Sequence, residues 1–265
     1  MERVDIREGI YDYMPVLESA VEWHVNFADP DLFFGYGSSL FAQDEMQVAE
    51  HPILGSLREA LIAGSRSART VEDGRPTPIL VAGVERRCRV AVDASAEEGR
   101  PQGLYGNLFS MASEEAVKRA TRRILPPTLS NLIAIAAPSG GWGAYSKQGI
   151  EYILTTAYTG FRAAVMESKR IGRTESQVVV HTGFWGCGAF GGNRHLMAIL
   201  QILAAGMAEV DRLVFHAVSA EGMTSFEEAV ALIVRGPGRA RIHATDAVIE
   251  WILDQEFQWG VSDGN

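Results

Sequence analysis

Thr182-Gly183-Phe184-Trp185-Gly186-Cys187-Gly188-Ala189-Phe190-Gly191-Gly192-Asn193 is the stretch that decides how this chain folds. It follows a largely apolar run over 177–181 and opens an apolar-periodic run over 196–203. A strand, a tight glycine loop and a helix N-terminus in that order can cradle a phosphate. The loop amides point outward, and the helix dipole adds partial positive charge. Glycine lets the backbone approach an anion closely and adopt positive φ. Gly183, Gly186, Gly188, Gly191 and Gly192 provide five such positions. The loop lacks the Gly-Lys-Ser/Thr ending of a Walker A motif. It also lies late in the chain, with no ribose-binding acid at the offset of a dinucleotide fingerprint. The same residues would also suit a tight βα connection that needs only small side chains.

Outward from this loop, strands and helices alternate. Residues 178–180 and 213–218 read as buried strands. Ile150, Ile153, Leu154, Ala157, Phe161, Ala164 and Val165 recur at helical spacing. The apolar run 132–136 reads as a strand closed by Pro138, Gly140 and Gly141. Residues 79–84 and 88–92 are expected as short strands, 66–78 as a polar linker and 94–106 as a surface loop. Residues 10–24 suggest a short helix running into a strand, with 21–28 the better strand and Asp29-Pro30 its stop. The stretch 33–41 is a glycine- and serine-bearing loop, and 43–50 a helix. Pro52 sits where the next helical turn can begin. Residues 226–234 and 247–253 read as closing helices. This alternation predicts a mostly parallel sheet covered on both faces. Without an internal repeat or low-complexity segment, residues 1–265 are expected as one domain, with 220–265 a candidate helical appendage.

The length fits one large α/β domain with an adequate core. A net charge of −9 argues against a nucleic-acid partner. An anionic small ligand stays open, because backbone amides need no lysine. Cys88 and Cys187 are too few for a disulfide framework and suggest a reducing compartment. The first residues carry acids and no apolar core of a secretion signal. No run is apolar and long enough to span a bilayer. A cytoplasmic monomer without a membrane partner is the expectation. His24, His51, His181, His195, His216 and His243 show no metal spacing with cysteine, so no metal is expected.

Val25-Asn26-Phe27-Ala28-Asp29, Phe33-Phe34-Gly35-Tyr36-Gly37 and Gln43-Asp44-Glu45 form a second constellation. Asp44 and Glu45 place adjacent carboxylates at a helix start, just after a glycine loop. Neighbouring helical residues do not share a face, so the two would do different jobs. Alone, such acids are also what a solvated helix start favours.

Together the two constellations resemble the poly(ADP-ribose) glycohydrolase family of macrodomains. That family shows V-D-F-A-N, a triple-glycine loop and Q-E-E, and later T-G-N-W-G-C-G-A-F-G-G-D. Here the first part reads VNFADPDLFFGYGSSLFAQDE at the family spacing. The second reads TGFWGCGAFGGN, followed by a similar helix, LMAILQILAAGMAE, and strand, LVFHAV. Ala157-Tyr158-Thr159-Gly160-Phe161 is similar to the family's A-Y-x-G-F helix. The resemblance covers most of residues 20–220, and the second motif is the more specific.

The resemblance implies a macrodomain-like three-layer α/β/α fold with a mixed, mostly parallel central sheet, and an ADP-ribose pocket. The diphosphate would lie on Gly186, Cys187, Gly188, Ala189, Phe190 and Gly191, with Phe190 against the distal ribose. Asn26, Asp29 and Gly35 would join the ligand site. The family's catalytic acid maps to Glu45. Asp44 would hold the ribose hydroxyls or the leaving group, and Gln43 would buttress the loop. No cofactor is implied. Cleavage at the ribose C1″ passes through an oxocarbenium-like state. One carboxyl group with a raised pKa can serve it first as acid and then as base.

The chain departs from the family inside the pocket. Phe33-Phe34-Gly35 replaces the triple glycine, and two bulky rings there are expected to reshape the loop. Asp44 is one methylene shorter than Glu, and about 1 Å of misplacement can cost about a hundredfold in rate. Asn26, Asp29, Phe184 and Asn193 replace the family's Asp, Asn, Asn and Asp. Ala217 stands where the family has an adenine-side aromatic. The changes point to a hydrolase of mono-ADP-ribosylated protein rather than of long polymer. An arginine linkage would suit Asp29, Asp31 and Asp44 by charge pairing, although Asp29 and Asp31 also suit turn chemistry around Pro30. A non-catalytic ADP-ribose reader would keep the second loop and need no Glu45. A transferase would need a metal or lysine site that the sequence does not offer. Cys187 reads as a nucleophile or, more simply, as a small residue in a crowded turn. His195 could touch ligand or solvent, Trp142 and Tyr145 could line the pocket or cap the sheet, and Trp251 and Trp259 suit packing or a partner surface.

Overall fold

A computed structural model describes residues 3–17, 19–171, 176–236 and 245–264. The chain opens with β1 (Val4–Arg7), β2 (Val21–Ala28), α1 (Gln43–Glu50) and α2 (Ile53–Ala63). A small hairpin, β3 (Val71–Glu72) and β4 (Arg75–Pro76), leads to β5 (Ile79–Val90). A 3-10 turn (Asn107–Met111) and α3 (Glu114–Ala120) precede β6 (Thr121–Ala136). Then follow α4 (Lys147–Ile171), β7 (Val178–Gly183), α5 (Arg194–Met207), β8 (Arg212–His216), α6 (Ala220–Arg235) and α7 (Thr245–Leu253).

The main sheet has the order β1-β8-β7-β2-β6-β5. All its pairings are parallel except β5 with β6. This is the mixed, mostly parallel sheet of a macrodomain-like fold, with helices on both faces. After β2 the chain proceeds toward β5, and after β7 toward β8. The connections therefore diverge between two adjacent parallel strands, which leaves a crevice at their carboxyl ends.

Alternation along β2 sorts the layers. Trp23 and Val25 point into the principal core with Ile133 and Ile135 of β6, Val178 and Val180 of β7, and the buried faces of α4 and α5. Both helices carry apolar residues at a 3.6-residue period, and in α5 every residue from Leu196 to Ala205 is buried. Phe226, Ala229 and Ile233 of α6 and Val248, Ile249 and Ile252 of α7 enter the same core. The opposite face receives Ala28, Leu132 and Ala134 under Leu32, Phe33, Val48 and Leu54.

Several expectations are corrected. Among the described residues no helix forms between 10 and 20; the segment instead packs Tyr11 and Tyr13, both partly buried, against imidazoles of the sheet. The two short strands expected over 79–92 are one strand, with register shifts between Val81 and Val84 and between Arg86 and Cys88. Bulges break the alternation, so one strand reads as two. Residues 66–78 hold the β3–β4 hairpin, turned by Asp73 and Gly74 at φ 49° and 71°. β6 begins at Thr121, because its first half pairs only with β5 and carries no apolar run. β8 ends at His216; Val218 has φ 63° and lies in the turn to α6.

Candidate active site

β2 and β7 are neighbours in parallel register, with His24 opposite His181. The loops that follow them therefore leave from one edge of the sheet. β2 itself carries Asn26, and the loop after it holds Asp29 and Gly35 and leads to Gln43, Asp44 and Glu45 at the start of α1. The second is the glycine loop over 184–193.

α1 is locked to β2 by Gln43. Its Nε2 donates to Val25 O (3.1 Å), and its Oε1 accepts from Phe27 N–H (2.7 Å). Gln43 thus fixes the helix start to the strand rather than bracing loop 33–37. Asp44 turns inward and accepts from Asn26 Nδ2 (2.8 Å). Asn26 also donates to Gln47 Oε1 (2.9 Å), and its own Oδ1 is buried without a partner. Burial pushes the Asp44 carboxyl up to about 7; the Asn26 hydrogen bond opposes this, and the charges of Glu45 and Asp29 add to it. Glu45 folds back over the helix start and accepts from Ala42 N–H (3.0 Å). Its carboxyl is also raised, by burial and by Asp29, against the pull of the amides of Glu45 and Ala42. Asp29 acts on both acids while its Oδ1 accepts from Asp31 N–H (2.9 Å), so turn chemistry and a place beside the acids coexist.

The replacement of the triple glycine has a simple resolution. Phe33 takes φ 54° and sends its ring fully into the core beside Leu32, Val48 and Leu54. Only Phe34 stays exposed, with the Arg58 guanidinium 5.9 Å from its ring centre. Gly35 backs directly onto the Glu45 carboxylate.

The second loop is built by short-range bonds. Trp185, Cys187, Gly191 and Gly192 N–H groups donate to the carbonyls of Gly183, Phe184, Gly188 and Gly186. Trp185 is buried and its Nε1 donates to Ile135 O (3.0 Å), tying the loop to β6. Gly186 has φ 76° and could not carry a Cβ, which would meet that of Ala137 at 2.5 Å. Asn193 caps α5 by accepting from Leu196 N–H (3.1 Å). Gly188 and Ala189 lie at the crest, and Phe190 packs partly on the core. Burial holds the Cys187 thiol well above its usual range, the opposite of the shift that activates a thiolate nucleophile. His195 is paired with Glu228 (2.8 Å). Tyr145 is buried and accepts from Asn193 N–H (3.0 Å), whereas Trp142 is exposed. His243 lies outside the described residues.

Three neighbours of the site were not expected there from the sequence. Tyr105, from the loop before the 3-10 turn, bonds the backbone of Gln43 and feels the charges of both Asp263 and Glu45; burial first of all pushes its phenol up to about 12. Arg58 acts on Asp44 from α2. Trp259 stacks on Tyr145 with ring centres 4.3 Å apart. Tyr105 and Trp259 arrive from distant parts of the chain and Arg58 from the next helix, and none stands in a local pattern.

Residues 96–225 match the family model described as poly(ADP-ribose) glycohydrolase, macro domain fold. The matched stretch includes the glycine loop and α4, and begins after Asp44 and Glu45. Among solved structures, poly(ADP-ribose) glycohydrolase from Thermomonospora curvata bound to the inhibitor ADP-HPD is 16% identical, with 85% of this chain and 78% of that one covered at a TM-score of 0.49. An Oceanobacillus iheyensis macrodomain with MES bound is 12% identical, with 82% and 87% covered at 0.48. Poly(ADP-ribose) glycohydrolase from Deinococcus radiodurans in complex with ADP-ribose is 17% identical, with 81% and 77% covered at 0.43.

Proposed function

We propose that this poly(ADP-ribose) glycohydrolase-like macrodomain removes single ADP-ribose groups from modified proteins, by acid–base cleavage of the ribose C1″ bond. The observation that carries the reading is the carboxyl pair at the start of α1. Asp44 and Glu45 both have raised pKa values, are both held by named partners, and start the helix that follows β2, the parallel neighbour of the strand that leads into the glycine loop. A purely structural pair of surface acids would not be buried at a cost. Raised carboxyl pKa values in a crevice mark acid–base work.

In this reading the diphosphate rests on loop 186–191. Glu45, protonated, gives its proton to the leaving atom as the C1″ bond breaks. As carboxylate it then takes a proton from the water that attacks C1″, and returns to its starting state. Asp44, close to half-protonated at neutral pH, holds a ribose hydroxyl. Asn26 of β2 and Gln43, which ties the start of α1 to β2, position the two acids. Asp29, Asp44 and Glu45 place negative charge where the leaving group departs, which suits a guanidinium and hence an arginine linkage.

The test is ADP-ribose release from proteins modified separately on arginine, serine and glutamate, with Glu45→Gln and Asp44→Asn beside the wild type. Release from the arginine-linked substrate alone, lost in Glu45→Gln while free ADP-ribose still binds, is expected. Release only from polymer would replace the reading with a polymer glycohydrolase. Binding without release, unchanged in the variants, would leave an ADP-ribose reader.

A further inference from the structure

Segment 258–264 lies across the glycine loop. Gln258 pairs with Ala144, and Trp259 N–H donates to Gly143 O (2.8 Å). The Trp259 ring stacks on Tyr145 and lies so close to Gly141 that a Cβ there would stand under 3.0 Å from it. Asn193, the cap of α5, donates through Nδ2 to Gln258 O (2.8 Å). Beyond this anchor the chain crosses the loop crest. Gly260 N–H donates to Gly191 O (2.9 Å), and Asp263 N–H makes a long bond to Gly188 O (3.4 Å). The Asp263 carboxylate then sits over Gly188. A Cβ built there would have Asp263 Oδ2 as its nearest neighbour, at 3.2 Å, and only other Asp263 atoms as the next two. Asn107 Nδ2 donates to Gly264 O.

We propose that segment 260–264 is an anionic strap that occupies the diphosphate subsite, with the Asp263 carboxylate standing in for a phosphate, so that a nucleoside-diphosphate ligand must displace it to bind. The proposal rests on the reading of loop 186–191 as a diphosphate cradle. The physical ground is competition for one face. The strap and a diphosphate resting on loop 186–191 would take the same face, and the Asp263 carboxylate would repel the diphosphate across a few ångströms. The contacts are divided in a way that suits displacement. Trp259 is held by ring stacking and backbone bonds, whereas in 260–264 Gly260 and Asp263 bond the loop backbone, Asn107 bonds Gly264, and Val261 is 92% exposed. Gly260, between the two parts, supplies a hinge free of side-chain hindrance. Ligand affinity is then reduced by the fraction of molecules in which the strap is closed.

The experiment is calorimetric titration of the full chain with ADP-ribose, comparing wild type with Asp263→Asn and Asp263→Ala. Amide hydrogen exchange over 258–264 is followed with and without ligand. Loss of the charge is expected to tighten binding by about tenfold, and ligand is expected to speed exchange over 260–264 while 258–259 stays protected. Equal or weaker binding by both variants, with exchange slowed by ligand, would show that the segment is a wall of the pocket and overturn the strap. Absence of ADP-ribose binding in the wild type and in both variants would overturn the diphosphate reading itself, and the strap with it.

Discussion

Gly35 and Glu45 are packed so closely that a Cβ on residue 35 would lie under 3.0 Å from Glu45 Oε1. Gly35 does not adopt positive φ. Its glycine is therefore explained by the space that the acid takes, and not by the backbone. The colliding atom is the end of a flexible side chain, so a methyl group would move the carboxylate and leave the fold intact. Gly35→Ala should change the melting temperature little and lower hydrolysis by about a hundredfold, since displacement near 1 Å is costly in a positioned acid. Thermal unfolding and initial rates, measured on the same preparation, check both halves.

Asp44 links chemistry to stability. Its folded pKa of about 7 lies above the ordinary carboxylate value, so the folded state holds its proton longer than the unfolded chain. The group therefore costs nothing at low pH, and its penalty grows as pH rises from about 4 to about 7, reaching roughly 4 kcal/mol. Asp44→Asn keeps an acceptor for Asn26 and removes the charge. The variant should be more stable than wild type at pH 8, with the advantage vanishing near pH 4. Denaturant titrations at the two pH values give the answer; equal stability at pH 8 would contradict the buried-carboxyl account.

The face of the sheet under Tyr11 and Tyr13 carries His24, His181 and His216, with His51 reached from α1. His24 stacks on His181 at 4.2 Å between ring centres, and His181 Nδ1 meets His216 Nε2 at 3.1 Å. Burial holds His51 and His216 down to about 4, and His24 well below its usual range. The unfolded chain then takes up protons first as pH falls. Stability is full above about 6.5 and is lost between there and about 4, on the order of 3 kcal/mol for each of His51 and His216. Both His24 ring nitrogens are buried without partners. His24→Phe preserves the stack, and should raise stability at pH 5 more than at pH 8. Melting curves across that range check the sign.

Phe33 and Phe34 are adjacent and do opposite work. Phe33 is fully buried, so Phe33→Ala should cost about 3–5 kcal/mol. Phe34 is 66% exposed at the entrance beside Gly35, so Phe34→Ala should cost under about 1 kcal/mol. Unfolding in denaturant separates the two. A large loss in Phe34→Ala would mean that its ring is buried in solution.

Much of the architecture was legible in the order of residues, because it rests on local physics. β2 and α1 fall at the residues where alternation and helix-start signals place them, Val21–Ala28 and Gln43–Glu50. The glycine loop lies between a strand and a helix because glycine positions and an Asn cap are written in consecutive residues. The family resemblance adds a site to that frame by the spacing of its motifs. Tertiary structure alone decided what depends on contacts between distant segments. No local pattern says that Phe33 turns its ring inward while Phe34 stays out, since the choice follows from the space between α1 and α2. None says that β5 is one bulged strand, or that Tyr11 and Tyr13 roof three imidazoles, since the partners lie far along the chain. The closest such case is Asp263 over Gly188. Sequence periodicity reports which face of an element is apolar; it carries no information about which remote carboxylate comes to rest on a loop.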